Sequence, residues 1–125
     1  MVSIGLGMCG GKAGLRPRAY PECVSHRIEF LYFDDCPNHV TTRALLDDVI
    51  AAVAPGTPVE TVNATDPAVA AAHRFPGSPT IRVDGRDVMP GFRDPGDYTP
   101  RCRVFPTPNG LRGVPPREWL EQALA

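Results

Sequence analysis

The chain reads as an α/β protein: a four-stranded mixed sheet, built βαβ and then ββα, flanked by about three helices. Three observations predict this. "RIEFLYF" (27–33) is dense in aromatic and β-branched residues, as a buried strand is. "PNHVTTRALLDDVIAAVA" follows it directly, with apolar residues at helical spacing. Later, "TIRVDGRDV" couples a short strand to an Asp-Gly turn, and "PPREWLEQALA" closes the chain with a second amphipathic stripe.

Each element has its own justification. Ile28–Phe33 is the first strand. In the helix after it, Leu45, Leu46, Val49, Ile50 and Val53 form one stripe, while Asp47 and Asp48 turn to water. Pro37 suits the first helical turn, where a missing N–H is harmless, and "APGTP" stops the helix. "PVETVNA" alternates as a second strand, about Val59–Asn63. "TDPAVAAAHRF" is an alanine-rich helix capped by Thr65 or Asp66, with Pro67 in its first turn. Thr80–Val83 is a third strand, closed by Asp84-Gly85. "MPGFRDPGDYTPR" is a loop long enough to suggest a functional role. "CRVFPT" reads as the fourth strand and "PNG" as a turn. Trp119, Leu120, Ala123 and Leu124 form the buried stripe of the last helix. The βαβ half requires parallel strands and a right-handed crossover; the two later strands lie close in sequence and are expected to pair antiparallel.

The bulk numbers bound the function. With 125 residues the chain has room for one domain with one modest core. A net charge of -1 leaves no basic surplus for a nucleic-acid surface. Apolar runs such as "VIAAVA" are too short to span a membrane. "LGMC" near the start has neither the basic nor the apolar flank of a lipoprotein signal, so lipidation is not expected. The 15 prolines and 12 glycines demand short elements and long turns. Residues 1–26 lack sustained periodicity and read as a flexible extension, with residues 27–125 forming the domain. Four cysteines, Cys9, Cys23, Cys36 and Cys102, permit three disulfide connectivities. Their irregular spacing and the absence of an export signal favour a reducing, cytoplasmic setting with free thiols.

The chemistry concentrates in "YFDDCPNHV". Cys36 follows a strand and stands at the mouth of a helix, where unsatisfied N–H groups and the helix dipole favour a thiolate. Asp34 and Asp35 push the other way by charge repulsion; one of them is expected to cap the loop or helix, the alternative being a proton donor beside the thiol. Cys36 has a plainer reading as a buried, inert core residue. His39 is either a solvated first-turn residue or a tuner of Cys36. Alternation in "CRVF" puts Cys102 on one face with Val104, as core. His26 and His73 read as surface or capping residues. Cys9, Cys23, His26, Cys36 and His39 are of the right types for zinc, but their spacings match no tight zinc-finger pattern, so no metal and no cofactor are expected.

The element order, the Cys-Pro pair at the first helix and a proline just before the third strand together resemble the thioredoxin fold, over about residues 27–125. The carriers are "FDDCPNH" and "GSPTI". More narrowly, "LYFDDCPNH", "FPGSPTIRVDG", "CRVFPTPNGLRGVPP" and the closing helix are similar to small bacterial thioredoxin-like proteins with a "YFDGCPN" signature, often labelled thioredoxins or organomercurial-lyase relatives. The resemblance implies that Cys36 is the nucleophile, water-reachable at the helix tip. It implies a cis Ser78–Pro79 bond lying against that sulfur, so that Ser78, Pro79 and Pro37 frame a free backbone edge for substrate. His39 departs from the family, standing where dithiol members carry a second cysteine. Either His39 tunes Cys36, or another cysteine resolves it, or no dithiol chemistry occurs. Cys102 is a possible second thiol, yet an antiparallel fourth strand at about 3.3 Å per residue would begin beyond bonding reach of Cys36.

The leading expectation is thiol–disulfide exchange in monothiol style, with a small thiol such as glutathione or a protein thiol as partner. The alternatives are soft-metal, mercury-type binding or lyase-like chemistry, and a non-catalytic module that binds through the 88–100 loop or the N-terminal extension. Oligomeric state is left open.

Overall fold

A computed structural model describes residues 26–125. Cys9, Cys23 and, apart from His26, the expected 1–26 extension lie outside the described residues. The elements in chain order are β1 (Ile28–Tyr32), α1 (Asn38–Val53), β2 (Val59–Asn63), α2 (Pro67–Ala72), β3 (Thr80–Val83), β4 (Arg86–Asp87), β5 (Phe105–Thr107), β6 (Gly110–Arg112) and α3 (Arg117–Leu124).

Four strands form a mixed sheet in the order β2-β1-β3-β4. β2 runs parallel to β1, with Ile28 opposite Val59. β3 runs antiparallel to β1, with Leu31 opposite Thr80. β1 and β3 are the two interior strands, and both are largely buried. The residues of β1 alternate: Ile28 and Phe30 pack under α1 and α3 with Leu46, Val49, Ile81, Leu120 and Leu124. Leu31 faces the other way, into a smaller cluster with Ala64, Ala70 and Phe75 beside α2. The helices follow their sequence signals. Asp66 caps α2 by accepting from the Ala68 N–H at 2.8 Å, with Pro67 in the first turn. Arg82 closes the other end of α2, donating to the carbonyls of His73 and Arg74. Of the α1 stripe, Leu46, Val49 and Ile50 are buried, whereas Val53 is 40% exposed. No described helix is long and apolar enough to cross a membrane.

The fourth strand is not where alternation in "CRVFPT" puts it. The Asp84-Gly85 turn, both residues at positive φ, sends the chain straight back as the two-residue β4 paired to β3. An Asp-Gly turn makes this hairpin without a long loop, so β4 takes the sheet edge. Residues 105–112 form a separate hairpin, β5–β6. The chain between returns to the opposite end of β3, where Cys102 bridges Ser78. The side-chain parity in "CRVF" is also opposite to expectation: Arg103 and Phe105 are buried, while Cys102 and Val104 are exposed.

Candidate active site

The site is built from two turns brought together by the β1–β3 pairing. The first is Phe33–Cys36, closed by the Cys36 N–H donating to the Phe33 carbonyl at 3.0 Å. α1 begins two residues after Cys36, with Pro37 at its N-cap and no side chain capping it. The second is "GSPT", Gly77–Thr80, all four residues buried. The Ser78–Pro79 bond is cis, in agreement with the expectation. The Cys36 thiol donates to the Ser78 carbonyl at 3.4 Å.

Two expectations fail here. Cys36 is not reachable by water; its relative exposure is 0%. The cover is not purely apolar, because the Cys36 thiol donates to the Ser78 carbonyl. Nor does Cys102 begin at the far end of the sheet: it belongs to a returning segment that bridges Ser78, whose carbonyl accepts from Cys36, rather than to an antiparallel fourth strand. The neighbouring Cys36 thiol is the main cause that raises the Cys102 thiol pKa above its ordinary value; partial desolvation and the Asp35 charge add to the rise. Cys102 is exposed.

The backbone edge beside Pro79 is occupied by the chain itself. The Ser78 N–H donates to the Arg101 carbonyl at 2.7 Å, and the Arg103 N–H donates to the Ser78 carbonyl at 2.9 Å. Gly77 makes room for this approach: it sits at φ +134°, and a Cβ there would come within 2.9 Å of the Arg103 Cβ.

Arg103 locks the segment. Its guanidinium meets Asp87 in a two-pronged pair at 2.7 and 2.9 Å and donates to the Thr80 hydroxyl at 2.9 Å. It also stacks over Phe105 and Phe92, 4.5 and 5.1 Å from the ring centres. Both side chains of the ion pair are over nine-tenths buried. Sequence reasoning missed Arg103 and Asp87, because nothing local in "GRDV" or "CRVF" marks a charge as buried. The only available signal was that an arginine alternates with Cys102 and Val104 and so takes the face opposite to theirs.

The remaining candidates are less central. Asp34 is an exposed loop carboxylate that accepts from Asn63 Nδ2 at 3.1 Å, while its N–H donates to Thr65, tying the turn to the end of β2. Asp35 is exposed and touches the site through its charge on Cys102. His39 stacks on Tyr32 with ring centres 4.6 Å apart, and among the described residues no hydrogen bond joins its ring to Cys36. His73 caps the C-terminus of α2, and His26 Nδ1 lies 2.7 Å from Asp84. Among the described residues no group of three or more His, Cys, Asp or Glu side chains is placed to hold a metal ion. The Ser78 hydroxyl is fully buried and has no hydrogen-bond partner. The grooves lined by Asp87 and by Trp119 include neither thiol.

Comparison of the chain with protein-family models, curated proteins and solved structures finds no match.

Proposed function

We propose that this chain is a thioredoxin-like thiol protein that performs thiol–disulfide exchange through Cys36, with Cys102 rather than a Cys-x-x-Cys partner as its second thiol. One observation supports the reading: the buried Cys36 thiol donates to the Ser78 carbonyl, and the segment carrying the exposed Cys102 is bridged to that same Ser78. Exchange requires a thiolate in line with a disulfide sulfur, and both cysteines lie against the Ser78 backbone. Burial of Cys36 would argue for a non-catalytic module if it stood alone; beside an exposed cysteine it defines a dithiol with one open end.

The test is mass spectrometry of the full chain after equilibration in glutathione buffers of graded potential. A Cys36–Cys102 peptide pair that forms and opens reversibly supports the reading. A Cys36 that stays reduced and unlinked at every potential removes it.

A second reading is soft-metal capture of the mercury or copper(I) kind, favoured by the same proximity, since soft ions prefer thiolates and accept few ligands. Binding of one mercury ion per chain, lost on Cys36→Ser, would distinguish it from exchange chemistry.

A further inference from the structure

The arrangement of residues 101–103 deepens that reading and rests on it. Three features coincide on this segment. It fills both backbone positions of Ser78. It is anchored by a buried ion pair to Asp87 on the edge strand β4. It carries an exposed cysteine bridged to Ser78, the residue whose carbonyl accepts from the buried Cys36 thiol.

We infer that residues 101–103 are a built-in strand occupying the edge where an extended substrate would pair, and that Cys102, not Cys36, is the sulfur that exchanges with external partners. Those partners are low-molecular-weight thiols and disulfides. A polypeptide substrate held by backbone pairing needs the Ser78 N–H and carbonyl, and both are taken. A small disulfide needs only access to one sulfur, and Cys102 supplies it.

The chemistry balances. The Cys102 thiolate attacks one sulfur of glutathione disulfide, forming a Cys102–glutathione bond and releasing one glutathione thiolate. Cys36 then attacks the Cys102 sulfur, forming the internal disulfide and expelling the second glutathione thiolate. The two protons lost by Cys102 and Cys36 end on the two glutathiones, so one disulfide is reduced and one dithiol oxidised. In reverse, an external thiolate attacks Cys102 and expels Cys36. Attack on Cys36 is closed sterically, because its sulfur is fully buried.

The experiment uses the full chain with Cys9→Ser and Cys23→Ser as background, treated with glutathione disulfide and quenched in acid. The background chain should end with the internal disulfide and no retained glutathione. Adding Cys36→Ser should leave a stable glutathione adduct on Cys102. Adding Cys102→Ser instead should slow adduct formation at Cys36 by roughly tenfold or more, as burial of a thiol does. Brief alkylation of the unsubstituted reduced chain, free of any folding concern, should label Cys102 before Cys36. A fast adduct on Cys36 in the Cys102→Ser chain, or first alkylation at Cys36, overturns the inference while leaving exchange by the pair intact. An oxidised peptide as good a substrate as glutathione disulfide overturns the small-partner assignment. Failure of the internal disulfide to form at all removes the exchange reading itself.

Discussion

At the scale of single residues, the site brings two thiols to one backbone position: Cys36 donates to the Ser78 carbonyl, and Cys102 is bridged to Ser78. The neighbouring Cys36 is the largest reason that the Cys102 pKa is raised. A raised thiol pKa holds the proton on as pH rises, so alkylation of Cys102 should climb at higher pH than for an ordinary thiol. Cys36→Ala removes that cause, and the midpoint of the iodoacetamide rate profile at Cys102 should move to lower pH. Superimposable profiles would mean that the two sulfurs are not coupled. The Ser78 hydroxyl yields a second prediction. A buried polar group without a partner costs about 1–3 kcal/mol, so Ser78→Ala should raise stability by roughly 1 kcal/mol in urea unfolding. A loss of stability instead would mean that the hydroxyl is satisfied in solution. The sequence made Cys36 and Pro79 legible because Cys-Pro before a helical stripe, and Ser-Pro before a strand, are local patterns. Arg103 and Asp87 were not legible, because a buried ion pair is a relation between distant positions that alternation alone assigns to solvent.

At the scale of elements, everything turns on how the 101–103 segment is held against the "GSPT" turn. Strands β1, β2 and β3 and the three helices were readable from apolar spacing and turn chemistry. The fourth strand was misplaced because "CRVFPT" has good strand composition, yet Asp84-Gly85 had already provided β3 with an antiparallel neighbour. With that edge taken, the "CRVF" segment was free to cross to the other end of β3, and its parity was set by Arg103 reaching Asp87. Removing one member of a buried pair strands the other charge, so Arg103→Ala should cost about 3–5 kcal/mol. Arg103→Met keeps the packing over Phe105 and Phe92 but still strands the Asp87 carboxylate, so pairing it with Asp87→Leu should recover part of the loss. Chemical denaturation of the three variants measures this; a loss below about 1 kcal/mol for Arg103→Ala would show the pair to be open to water, as surface pairs are. Gly77→Ala attacks the same element from the other side, because its Cβ meets Arg103 and its φ is positive. It should cost about 1–3 kcal/mol and speed alkylation of Cys36 as the segment lifts.

At the scale of the molecule, the sheet core and the segment that covers the thiols depend on different forces, and pH should separate them. The core of Ile28, Phe30, Leu46, Val49, Ile81 and Leu120 carries no charge. The approach to Cys102 is instead pinned by carboxylates. Asp94 accepts from the Gly96 N–H, Tyr98 and Arg74, and Asp97 accepts from the Thr99 N–H and hydroxyl and from Arg101. These bonds, led by the backbone N–H of Gly96 and of Thr99, hold both pKa values below the ordinary carboxylate range. A depressed folded pKa means that the stabilisation is complete above the unfolded value and is lost as pH falls through the folded one. Acidification should therefore release the 94–101 turns while the apolar core persists. Both carboxylates are exposed, so salt and solvent screen the effect. The expected result is that the Gly96 and Thr99 amides lose hydrogen-exchange protection, after correction for the intrinsic rate, at a pH where the β1 amides of Phe30 and Leu31 keep theirs. Alkylation of Cys36, measured after return to neutral pH within the refolding time of the loop, should rise in step with that loss. Simultaneous loss of protection at Thr99 and Leu31 would mean that the thiol cover and the sheet are one cooperative unit, and that Cys36 is uncovered only by unfolding.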